Sequence, residues 1–255
     1  MSEVQELTAN KLKVKIYETR LQMGASAAYD VSEKIKQLLL HQNFVNMVFA
    51  AAPSQDEFLS YLALEKDLDW SRVNAFHMDE YIGLDKNASQ NFGQFLKERI
   101  FDKVSFHEVH YLNGNAADPL EECQRYADLL QDRSIDIVCM GIGENAHIAF
   151  NDPHVADFND PLLVKVVELD IASRMQQVHD KCFSHIDEVP YSAITLTVPV
   201  LLQADSIYCI VPGSSKAQAV YHTLHSEVEE SYPSTILTRH PNAVLYLDRD
   251  SAAKL

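Results

Sequence analysis

The feature that most limits what this chain can fold into is an alternation. Short apolar runs, each long enough for one buried strand, are separated by stretches with helical spacing. Residues 12–18 (LKVKIYE) read as a first strand. The stretch 27–42 then sets Val31, Ile35, Leu38 and Leu39 on one helical face. The run 46–52 (NMVFAAA) suits a second buried strand, after which Ser54 opens a helix through DEFLSYLALEKD. The alternation continues with strands at 72–78, 108–114, 135–143, 206–213 and 242–248. Helices are expected at 91–104, 120–133 and 214–225.

Strands and helices in this order imply an α/β fold: a mostly parallel sheet with helices on both faces, Rossmann-like in plan. No repeat, low-complexity segment or Pro/Gly/Ser-rich linker divides the chain, so one domain is expected over 1–255. In such sheets ligands sit outside the carboxyl ends of the strands. The residues following NMVFAAA, RVNAFHM, IDIVCMGIG and SIYCIVPG should therefore converge on one cleft.

Composition narrows the function. A net charge of −16 argues against a nucleic-acid partner, because phosphate backbones demand a basic face. A phosphorylated small molecule would need a local cation inside an otherwise negative field. The first residues lack an apolar leader, and no uncharged apolar stretch reaches the roughly 18 residues of a membrane helix. Cys123, Cys139, Cys182 and Cys209 are scattered without a CxxC pair, as expected for buried thiols in a reducing compartment. The expectation is a cytoplasmic protein with no membrane partner. Among the 11 histidines none forms HxH or HExxH, so no catalytic metal is expected.

The four strand ends carry polar groups. Asp79 and Glu80 follow a strand directly; adjacent acids point in different directions, so at most one faces the cleft. Either could equally be a turn residue or a helix cap. Two of the chain's 7 glycines, Gly141 and Gly143, fall after the apolar run 135–140, where they permit tight turns against a ligand. His147 follows, with Asp152 five residues later, a spacing at which a proton relay can form across a loop. Lys216 stands near the start of a helix after the turn at 211–215, as an anion ligand or as an ordinary exposed lysine.

MDEYIGL (78–84), YLNGNAAD (111–118), GIGENAHIAFNDP (141–153), the block 194–220 and TRHPNAVLYLD (238–248) together resemble the glucosamine-6-phosphate deaminases. The related 6-phosphogluconolactonases share that fold, but Tyr81 and the stretch 148–151 fit the deaminase branch better. The resemblance covers almost the whole chain and implies aldose–ketose isomerisation of an amino-sugar phosphate with loss of ammonia. It assigns Asp79 as the base at C2, His147 as the ring-opening group, Asp152 as its acidic partner and Lys216 as a phosphate ligand. No cofactor is implied, and relatives are often homo-oligomers.

Four departures qualify the resemblance. Asn145 replaces an acid beside the His, so it can orient the ring but adds no charge. Ala146 replaces a Gly; a left-handed conformation there would cost about 1 kcal/mol. Asp152 replaces Glu and reaches one methylene less far. In place of a Gly- and Thr-rich phosphate loop stands 52–57, Ala-Pro-Ser-Gln-Asp-Glu, in which Ser54 and Glu57 have capping-box spacing and two acids face an incoming anion. Ser54, Gln55, Glu80 and Gly143 are expected to line the substrate site. Arg174 is expected to share the phosphate with Lys216, unless the distal group is not a phosphate, and Gln176 and Gln177 are candidates for sugar hydroxyls. The alternatives are a sugar-phosphate sensor without turnover and a lactonase-like hydrolase.

Overall fold

The computed structural model describes residues 5–85 and 87–255. In chain order the strands are β1 (Gln5–Ala9), β2 (Leu12–Tyr17), β3 (Val45–Phe49), β4 (Val73–His77), β5 (Asp79–Tyr81), β6 (Glu108–His110), β7 (Ile137–Met140), β8 (Val164–Glu168), β9 (Ser192–Leu196), β10 (Ser206–Val211) and β11 (Ala243–Asp248). The helices are α1 (Arg20–Leu39), α2 (Asp56–Ala63), α3 (Phe92–Leu96), α4 (Pro119–Gln131), α5 (Ile171–His179), α6 (Val198–Leu202) and α7 (Ala217–His225).

Eight strands form the main sheet in the order β1-β2-β11-β10-β7-β3-β4-β6. Every pairing is parallel except the β1–β2 hairpin at one edge. The inner strands are buried along their length, β3, β4, β7 and β10 almost without interruption, because helices cover both faces. Two apolar clusters result, one on each side. One holds Met23, Val31 and Ile35 of α1 with Phe58 and Leu62 of α2. The other holds Tyr126 and Leu130 of α4 with Val220 of α7. α1 starts seven residues before the expected 27, capped by Thr19, whose hydroxyl accepts the Gln22 N–H. Among the described residues no helix is long and apolar enough to cross a membrane.

The alternation of the sequence missed a second sheet. β5, β9 and β8 pair antiparallel in that order, with Asp79 opposite Thr195 and Val166 opposite Ile194. β5 is only three residues long and is separated from β4 by Met78 alone, so its periodicity is invisible in the sequence. It changes the setting of the acidic pair. Asp79 and Glu80 belong to a strand, and their side chains leave opposite faces.

Candidate active site

Three neighbouring strands of the main sheet, β3, β7 and β10, end side by side, and their following loops build one cleft. β3 supplies Ser54 and Gln55, β7 supplies Gly143 and His147, and β10 supplies Lys216. Asp79 enters from the second sheet, Phe92 from α3, and Gln176 and Gln177 from α5. The convergence expected from the strand ends is what the fold produces.

Asp79 is 6% exposed, and its carboxyl is pushed well above the ordinary carboxylate range, chiefly by burial and secondarily by the Glu80 charge. A buried carboxyl perturbed in this way at the edge of a cleft is a candidate general base.

The histidine loop is held from several sides. His147 Nδ1 lies 2.7 Å from Asn145 Oδ1, 2.8 Å from Ser173 Oγ and 3.0 Å from Asp152 Oδ1. Asp152 is fully buried; burial pushes its carboxyl up, but His147 and the donors Asn145 and Ser173 outweigh that and hold it well below the usual range. Its second oxygen accepts the Asp170 N–H at 3.0 Å, tying α5 to the loop. Gly143 is required here because a Cβ would overlap the His147 ring. Ala146 does adopt the left-handed conformation, with φ 67°. The loop therefore keeps the geometry a glycine would favour and bears the strain.

At the distal end Lys216 is 4% exposed, which removes the reading of an ordinary surface lysine. Burial lowers its pKa to about 8, against the opposing charges of Asp180 and Glu144. Gln55 donates to Ile210 O and Ser54 Oγ, each at 3.1 Å, and its Oε1 is buried without a partner.

Residues 18–246 match the model of the glucosamine-6-phosphate isomerase/6-phosphogluconolactonase family. The chain belongs to this family. Similar members include glucosamine-6-phosphate deaminases from an Exiguobacterium species, 36% identical over 73% of this chain and 72% of that one, and from Bacillus cereus, 36% identical over 75% and 71%. Among solved structures, a monomeric glucosamine-6-phosphate deaminase superposes with a TM-score of 0.86 at 26% identity, covering 95% of this chain and 99% of that one. A 6-phosphogluconolactonase from Thermotoga maritima gives 0.72 at 18% identity over 92% and 98%, a likeness of fold alone.

Three expectations for this family member need correction. Glu80 does not face the cleft. Its carboxylate accepts the N–H groups of Tyr81 (2.9 Å), Phe92 (3.0 Å) and Gly93 (2.8 Å), and burial against those bonds sets its pKa at about 7. It fastens β5 to α3. Arg174 also stays out of the cleft: its guanidinium donates to Ile186 O and Val189 O and stacks 3.8 Å from the Tyr191 ring. On α5 a step of one residue is a turn of about 100°, so Ser173, Gln176 and Gln177 share the cleft-facing side and Arg174 does not.

The third correction concerns the 52–57 loop. Ser54 caps nothing; it sits in a 3₁₀ turn, Pro53–Gln55, with Gln55 at the N-cap of α2. Glu57 pairs with Arg20 at 2.8 Å and Asp56 with Arg99, so neither acid guards the cleft. Ser173 is the residue that sequence reasoning missed. Its position three and four before Gln176 and Gln177 is the one signal that could have found it.

Proposed function

We propose that the protein isomerises and deaminates a hexosamine 6-phosphate, releasing a ketose phosphate and ammonia. The observation that carries this reading is the meeting of Asp79 and His147 in one cleft from two different sheets. His147, steadied by Asn145 and Asp152, opens the pyranose by moving a proton between O1 and the ring oxygen. Asp79 then removes the C2 proton of the open chain and returns it at C1, passing through an enolamine. The resulting imine takes up water and loses ammonia. Each proton that leaves the sugar has a group to receive it, and no cofactor takes part.

Lys216 is the cation for the phosphate, with the Ser54 hydroxyl and the Gly143 loop beside it. Gln176 and Gln177 are placed for sugar hydroxyls. Against the sensor reading, Asn145 Oδ1 still meets the His147 ring at 2.7 Å. Four free cysteines suit the reducing cytoplasm as the place of this activity.

Ammonia release from glucosamine-6-phosphate and galactosamine-6-phosphate, wild type beside Asp79→Asn, tests the reading. Turnover on at least one sugar should fall 10²- to 10⁴-fold in the variant, as for loss of a general base. The melting temperature should hold or rise, because the amide removes a buried acid whose charged form is disfavoured. Thermal stabilisation by both sugars without turnover on either would overturn the enzyme reading.

A further inference from the structure

The geometry points to Ser173 as a positioning residue: it bridges Asp152 and His147 Nδ1 and, with Asn145 and Asp152, holds the ring so that Nε2 is free for the sugar. This rests on the role of His147 given above.

The assignment follows from donors and acceptors. The backbone N–H of His147 can only donate, and it points at Asn145 Oδ1 from 3.2 Å. That fixes the Asn145 amide: its oxygen faces His147 and its Nδ2 donates to Asp152 Oδ1 at 3.0 Å. Ser173 Oγ also bonds Asp152 Oδ1, and a carboxylate oxygen can only accept, so the serine hydroxyl is the donor there. With its one proton committed to Asp152, Ser173 Oγ can only accept from His147 Nδ1, 2.8 Å away. Nδ1 is therefore surrounded by three acceptors: Asn145 Oδ1, Ser173 Oγ and Asp152 Oδ1. The ring proton belongs on Nδ1 in the neutral form, and Nε2 bonds no described residue.

The same arrangement accounts for two of the departures noted from the sequence. Asn145 cannot supply charge, and Asp152 is one methylene short. Ser173, 1% exposed on the first turn of α5, stands beside both groups and is held there by the Asp152–Asp170 bond. The hydroxyl adds a second link between the shorter acid and the ring, beside their direct contact at 3.0 Å.

Two variants and two readouts test this. In ligand-free protein, ¹⁵N–¹H spectra of the imidazoles should show His147 as a single Nδ1–H tautomer, and Ser173→Ala should shift and broaden that Nδ1–H resonance as the ring loosens against the two acceptors that remain. On the hexosamine phosphate that turns over, Ser173→Ala should lower kcat about tenfold, the scale of one neutral hydrogen bond, with KM within twofold. Ser173→Thr, which keeps the hydroxyl, should restore both. Wild-type spectra and kcat in Ser173→Ala would overturn the proposal. So would a Ser173→Thr variant as impaired as the alanine one, since packing alone would then be at stake. The spectra need no substrate, so they judge Ser173 even if neither sugar is turned over.

Discussion

At one end of the cleft His147 Nδ1 has three polar neighbours within 3.0 Å, whereas at the other Lys216, equally hidden from solvent, has no ion-pair partner among the described residues. The two acids that act on it are occupied. Glu144 faces His179 at 3.1 Å, and Asp180 receives the Gln176 amide at 3.5 Å. Beside Lys216, Gln55 Oε1 is unpartnered as well. Proton transfer depends on sub-ångström placement, so its groups are fixed before substrate arrives. Anion binding needs an unspent charge, and a lysine already paired inside the protein would have little left to offer.

The comparison breaks most visibly at Gly143. In Gly143→Ala the new methyl must displace the His147 ring, so kcat should fall at least about 10²-fold, the scale of a misplaced catalytic group. Steady-state kinetics with an unchanged kcat would mean the preformed end is not needed. At the open end, Lys216→Met should act on binding: KM for the sugar phosphate rises about 10- to 100-fold with kcat little changed, as for one charged hydrogen bond. A fall confined to kcat would place Lys216 in the chemistry instead.

The same lysine sharpens the contrast through pH. Its pKa of about 8 means that wild-type KM should change little between about pH 7 and 8, where the substrate phosphate is a dianion, and rise up to tenfold per unit above pH 8. Lys216→Met should lose that rise. Between pH 8 and the ordinary lysine value near 10.5 the unfolded chain holds a proton the folded chain has released. The Lys216 contribution to stability therefore rises with pH across this window. The smallest effect is expected at Ala146, where the strain lies in the backbone. Ala146→Gly should add about 1 kcal/mol of stability, or about 2–4 °C in melting temperature, with kcat nearly unchanged.

Much of the site was legible because the groups that build it follow strands whose apolar runs are unmistakable. Ser54, His147 and Lys216 all come directly after such runs, and the partnership of His147 with Asp152 spans a single loop. What could not be read were pairings set by distant chain. Glu57 looks like half of a capping box until Arg20, 37 residues away, takes its carboxylate. Arg174 looks like a phosphate ligand until the carbonyls of Ile186 and Val189 claim it. Glu80 looks like a substrate ligand until α3 presents two N–H groups to it.

By itself the sequence determined the parallel sheet, its two helical layers and the edge at which the cleft opens, because hydrophobic periodicity and strand length are local properties. The position of the His147 loop after an apolar run was legible in the same way, whereas the left-handed conformation of Ala146 was known only from its φ of 67°. Only the tertiary structure decided which face of each element looked into the cleft. A strand reverses its face at every residue and a helix turns about 100° per residue, so a neighbour's packing selects Asp79 over Glu80 and Ser173 over Arg174. That selection is made by contacts between segments tens of residues apart.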